Sequence, residues 1–177
     1  MFARIAAGIG LTLALAAGPA LAKELTFKAD LRGDLAPTIT GSKATGSATI
    51  RVDTDKQTVD VKLAVQGLGV DQLSNGLRGT PMGPIHLHIY GTHVHSKDAD
   101  AALVFPLPYG PSYSPTAEGF KVETGPVNYA KGASLVNTRA SFADFLAAMQ
   151  GQLIVLNVHT NRFGDGEISG DVVASPT

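Results

Sequence analysis

Apolar and polar residues alternate with a period of two through most of the chain. Leu25, Phe27 and Ala29 share one face of a predicted strand over residues 23–31, with Thr26, Lys28 and Asp30 on the other. Residues 44–52 repeat the pattern through Ala48, Ile50 and Val52, and residues 58–66 through Val59, Val61, Leu63 and Val65. The polar stretch 53–57 between them predicts a hairpin. Residues 67–84, rich in Gly, Asn and Pro, read as a loop anchored by Leu68, Val70 and Leu73. Further strands are predicted over 101–105, 120–124, 152–160 and 167–173. Residues 106–115 carry four prolines, which lack the donors an interior strand needs, so an extended surface loop bearing Tyr109 and Tyr113 is expected there. The tail from Ala174 is expected to be unordered.

One segment switches to a helical period. Phe142, Phe145, Leu146 and Met149 fall at i, i+3, i+4 and i+7, with Ser141 as cap, Asp144 in the first turn and Gly151 after the end. A short helix across the end or edge of a sheet follows. About eight short strands with one late helix predict an all-β antiparallel sandwich or flattened barrel.

The first 22 residues fall outside this pattern. Arg4 precedes an apolar run from Ile5 to Ala17, and Ala20-Leu21-Ala22 is a small-x-small cleavage site, so a signal peptide cut after Ala22 is expected. A run of about 13 residues is short for a ~30 Å hydrocarbon core, and no other stretch approaches spanning length. Residues 23–177 then form one exported domain, periplasmic or secreted, with no membrane span in the mature form. The chain has no cysteine, which excludes thiolate chemistry, zinc ribbons and iron–sulfur clusters. Its formal charge is −1, and −2 once Arg4 is removed, so there is no basic footprint for nucleic acid.

The candidate chemistry is histidine. Four of the five histidines lie within residues 85–95, as the pairs His86/His88 and His93/His95, and His159 is far downstream. In a strand His86 and His88 face one side while Ile85, Leu87 and Ile89 face the other. A turn at Gly91-Thr92 would pair His88 with His95 and gather four imidazoles on one face. A strand carrying His159 and Asn157 on one face would bring a further ligand. Three nitrogen donors with an open position suit copper or zinc. His86, His88 and His159 form the core of the expected site, with His93 and His95 as additional ligands. Asn157, Asp98 and Asp100 are candidates to orient the ligands from behind. Asp165 and Glu167 flank Gly166 and read as turn residues. No nucleophile elbow or phosphate loop is present.

Two stretches carry a family resemblance. His86-Leu87-His88-Ile89-Tyr90-Gly91, followed by Leu103-Val104-Phe105-Pro106-Leu107, is one. Leu156-Asn157-Val158-His159-Thr160 with Gly166-Glu167-Ile168-Ser169-Gly170 is the other. Both resemble the CHRD (chordin) domain family. The resemblance implies a secreted, immunoglobulin-like Greek-key β-domain with no established general enzymatic activity. Ser169 stands where the family usually has arginine, and the pair His93/His95 is extra to its pattern. The His-x-His strand with a distant histidine is more loosely similar to copper/zinc superoxide dismutase, but that enzyme's zinc-binding loop, active-site arginine and disulfide are not recognisable. The expected function is therefore metal binding or buffering, with redox chemistry open and catalysis not assigned. The alternative is a non-catalytic module presenting loops to an extracytoplasmic protein or glycan partner.

Overall fold

The computed structural model describes residues 24–35, 39–90 and 101–176. Three nine-residue strands, β1 (Glu24–Arg32), β2 (Thr45–Asp53) and β3 (Thr58–Gln66), form an antiparallel meander paired along its full length. Their inward residues are the alternating apolar set, among them Phe27, Leu31, Ile50, Val52, Val61 and Leu63, all at most 2% exposed. A 3₁₀ turn and the short helix α1 (Asn75–Arg78) then lead to β4 (Ile85–Ile89) and β5 (Ala102–Leu107). The chain continues through β6 (Tyr113–Pro115), β7 (Gly119–Glu123), β8 (Val127–Asn128) and the helix α2 (Tyr129–Ser134). Helix α3 (Phe142–Gln150) and strands β9 (Ile154–Val158), β10 (Ile168–Asp171) and β11 (Val173–Ala174) complete the fold.

All pairings are antiparallel, in a curled sheet of order β5-β4-β9-β10-β1-β2-β3-β7-β6, with β11 also on β1 and β8 on β3. The all-β class with one longer helix is as the pattern predicts. The extra strands are pieces of two or three residues, too short to alternate visibly. Helix α3 has the expected form: Ser141 and Asp144 make a reciprocal capping box, Gly151 closes the end, and Phe145 and Met149 are fully buried. Phe105, Tyr129 and Phe145 stack together and fasten both α2 and α3 onto the core.

Three expectations are corrected. Residues 106–115 are not all loop, because Pro106 lies within β5 and Pro115 within β6, the two edge strands of the sheet. An edge strand leaves alternate N–H groups unused, so proline is tolerated there. Tyr113 is buried and donates to the Leu107 carbonyl at 2.6 Å. The tail is ordered through Pro176, since Val173 and Ala174 pair with β1 and the Ser175 N–H donates to Thr26 O.

The third correction concerns Glu167, read above as a turn residue. It is 6% exposed, and its carboxylate accepts from Ser42 Oγ and Thr160 Oγ1, both at 2.7 Å. Its backbone carbonyl accepts from Thr40 Oγ1 at 2.8 Å. Side chain and backbone of Glu167 together thus tie residues 40–42 to the turn after β9. Glu167→Ala leaves the buried Thr160 hydroxyl and the half-buried Ser42 hydroxyl without their acceptor and is expected to cost about 2 kcal/mol in urea unfolding, with Glu167→Gln recovering part of it. A loss below about 0.5 kcal/mol would show that the network carries no load.

Candidate metal centre

Strand β4 lies between β5 and β9, and its register sets the site. Ile85 pairs with Val158, His86 with Asn157, Leu87 with Leu156 and His88 with Val155. Directly opposed residues point to the same face. Ile85, Leu87, Leu156 and Val158 therefore enter the core, while His86, His88, Val155 and Asn157 share the outer face. One residue past β9, the ladder continues as the His159 N–H donates to Pro84 O. This puts His159 on that same outer face, two residues from Asn157. Val155 and Tyr90, both nearly inaccessible, make a small apolar cluster beside it with Leu153.

The three imidazoles meet there. Ring centroids are 4.6 Å apart for His86 and His159, 5.5 Å for His86 and His88, and 6.0 Å for His88 and His159. One nitrogen from each lies within 4.8 Å of the others. An ion with metal–nitrogen bonds of about 2.0–2.1 Å needs donors about 3.4 Å apart, so shifts on the order of 1 Å per ring suffice.

Backbone carbonyls orient two of the rings. His86 Nε2 contacts Gly83 O at 2.5 Å, and His159 Nδ1 contacts Gly164 O at 2.7 Å. A carbonyl can only accept, so both nitrogens carry the proton. The lone pairs are then on His86 Nδ1 and His159 Nε2, and these atoms are buried without any partner. Gly83 sits at φ +68°, and a Cβ there would run into Leu107 O and Pro108. A glycine is therefore what allows this carbonyl its approach. Both ring nitrogens of His88 are out of contact with solvent and neither makes a hydrogen bond.

Burial keeps all three rings neutral. Desolvation, then the neighbouring His159, pushes the pKa of His86 down to about 3, against a smaller upward pull from its bond to Gly83 and with a further push down from His88. The same two effects push His88 down to about 4, partly countered by the backbone carbonyl of Ala101, which does not reach hydrogen-bond geometry. His159 is lowered by desolvation, with Gly164 and Asp165 opposing. At neutral pH the cluster offers uncharged imidazoles with free lone pairs, the form a metal ion requires.

Asn157 is 4% exposed; its Nδ2 donates to Asp165 O at 3.0 Å, while its Oδ1 is buried and unpartnered. The groups that orient the ligands are thus the carbonyls of Gly83 and Gly164, which sequence reading missed. The glycines beside the histidine stretches were the available signal. His93, His95, Asp98 and Asp100 lie outside the described residues. Opposite His88 on its two sides stand Leu103 of β5 and Val155 of β9. Strand β4 exchanges its hydrogen bonds with β5 and β9, leaving no third edge.

Fold and cluster together define an antiparallel β-domain with a largely buried three-imidazole cluster on one outer face of its sheet. The chain belongs to the CHRD domain family, whose model matches residues 27–172. No curated protein and no solved structure matches it. Among the described residues no helix is long and apolar enough to cross a membrane.

Proposed function

We propose that this is an exported metal-binding protein that holds one copper or zinc ion through His86 Nδ1, His159 Nε2 and one nitrogen of His88, for binding or buffering. The observation that carries the reading is the convergence of buried nitrogen lone pairs with no donor facing them. A buried acceptor without a partner costs about 1–3 kcal/mol, and three in one place need a compensating group. A Lewis acid meets that need for all three at once. The signal-like pattern of residues 1–22 supports export. With copper bound, the ion would supply one-electron chemistry. The chain's own contribution is the neutral, pre-oriented donor set.

The alternative, a module presenting residues 106–115 to a partner, draws no support from the aromatic residues there. Tyr113 is buried, and Tyr109 is held by the Arg78 guanidinium, 4.3 Å above its ring and hydrogen-bonded to its hydroxyl.

Calorimetric titration of the metal-free chain with Cu²⁺, Zn²⁺ and, without oxygen, Cu(I) tests the proposal. The expected result is one ion per chain, bound well below ~10 μM, with few protons released at pH 7 because the ligands are already neutral. Uptake no tighter than ~10 μM for every ion would overturn it.

A further inference from the structure

The ligand set is uncharged. Among the described residues, the group able to hold an ion consists of His86, His88 and His159, with no carboxylate in it. Asp165 acts on His159 through space, and the Glu167 carboxylate is spent on Ser42 and Thr160. A divalent ion held by three neutral imidazoles keeps its full charge in a desolvated place, which is costly unless an anionic or strongly polar fourth ligand joins it.

Asn157 stands where that ligand would be received. Its β-carbon is directly opposite that of His86 across the β4–β9 ladder, and it is two residues from His159 on the same face. The amide cannot turn over, because Nδ2 is committed to Asp165 O. Gly166, at φ +117°, gives it room, since a Cβ there would collide with both Asn157 Oδ1 and Nδ2. What remains is a buried carbonyl oxygen with no donor, on a side chain of the same sheet face as the three imidazoles.

Resting on the metal reading above, we propose that the centre is open rather than closed. Its fourth position takes an exchangeable oxygen ligand from solvent, water or hydroxide, whose hydrogen is accepted by Asn157 Oδ1. Asn157 is then a positioning residue that selects a fourth ligand bearing a hydrogen. An amide oxygen accepts from such a ligand and has nothing to offer an aprotic anion.

Azide tests this, because it binds Cu²⁺ with a visible charge-transfer band and brings no hydrogen to donate. The purified chain loaded with one Cu²⁺ is expected to develop that band and to lose it when azide is dialysed away. In Asn157→Leu, which removes the acceptor, azide should bind several-fold tighter while Cu²⁺ affinity changes by less than about threefold. In Asn157→Asp a carboxylate takes the fourth position, so Zn²⁺ should bind about 10-fold tighter or more and the azide band should disappear. A chain that binds Cu²⁺ tightly yet never develops the band would show that its own atoms close the fourth position, overturning this inference while leaving the metal reading intact. Equal azide affinity in wild type and Asn157→Leu would overturn the role of Asn157. Failure to bind Cu²⁺, Cu(I) or Zn²⁺ would remove the metal reading, and this inference with it.

Discussion

His88→Leu is expected to make the metal-free protein more stable and at the same time to abolish tight metal uptake. His88 buries an N–H and a lone pair with neither hydrogen-bonded, on a face that already carries Val155 and Tyr90. Leucine has similar volume and no polar atom to desolvate. Removing the unpaired groups should raise urea stability by about 1–3 kcal/mol. His86→Leu differs, because it also strips the Gly83 carbonyl of its donor and should gain little or lose stability. Both variants, and His159→Ala, remove one of three ligands and should weaken Cu²⁺ or Zn²⁺ binding by about 100-fold or more. The opposite signs on stability and affinity are what mark the cluster as a site rather than a packing element. Unchanged uptake in His88→Leu would exclude that residue as a ligand. A stability loss of more than about 2 kcal/mol in the metal-free form would make it a structural residue.

The metal-free fold should also weaken steeply on acidification between pH 6.5 and 4. In the unfolded chain each histidine protonates near its ordinary pKa of about 6.5. In the fold His86 and His88 stay neutral down to about 3 and about 4, and His159 is lowered as well. The unfolded state therefore binds more protons throughout this window, and stability rises with pH across it. The contribution is fully present above pH 6.5 and is lost as pH falls through the folded-state values. At pH 5, His86 and His88 each account for a loss of about 2 kcal/mol, a large share of the roughly 5–15 kcal/mol that holds a domain together. Urea unfolding at pH 7.5, 6 and 5 measures this. The His86→Leu and His88→Leu variants should each flatten the slope. Stability that stays level from pH 7.5 to 5 would contradict neutral burial of the cluster. At pH 6, a metal present at 100 times its dissociation constant should return about 2.7 kcal/mol by mass action.

The histidine face was legible in advance because alternation in a strand is a local property. Ile85 and Leu87 had to be inside, which turned His86 and His88 outward together, and the same rule put Asn157 and His159 on one side of their strand. The helix from Phe142 to Gln150 was legible for a like reason, since Ser141, Asp144 and Gly151 act within a turn of its ends. Helix α2 was not, since Gly132 and Ala133 lie in it without an apolar stripe, and Gly132 is there because a Cβ would strike the Phe105 ring.

By itself the sequence determined which side chains share a face, where the longer strands and the principal helix lie, and which residue type carries the chemistry. Only the tertiary structure decided that β9 is a direct neighbour of β4 and brings His159 to the cluster. It alone put Pro106 and Pro115 on sheet edges, buried Glu167 under two hydroxyls, and left the imidazole lone pairs and Asn157 Oδ1 buried without a donor. The physical reason is range. Dihedral preference and alternation act over a few residues, whereas strand neighbours and desolvation depend on groups some seventy residues apart in the chain that meet only when the sheet curls.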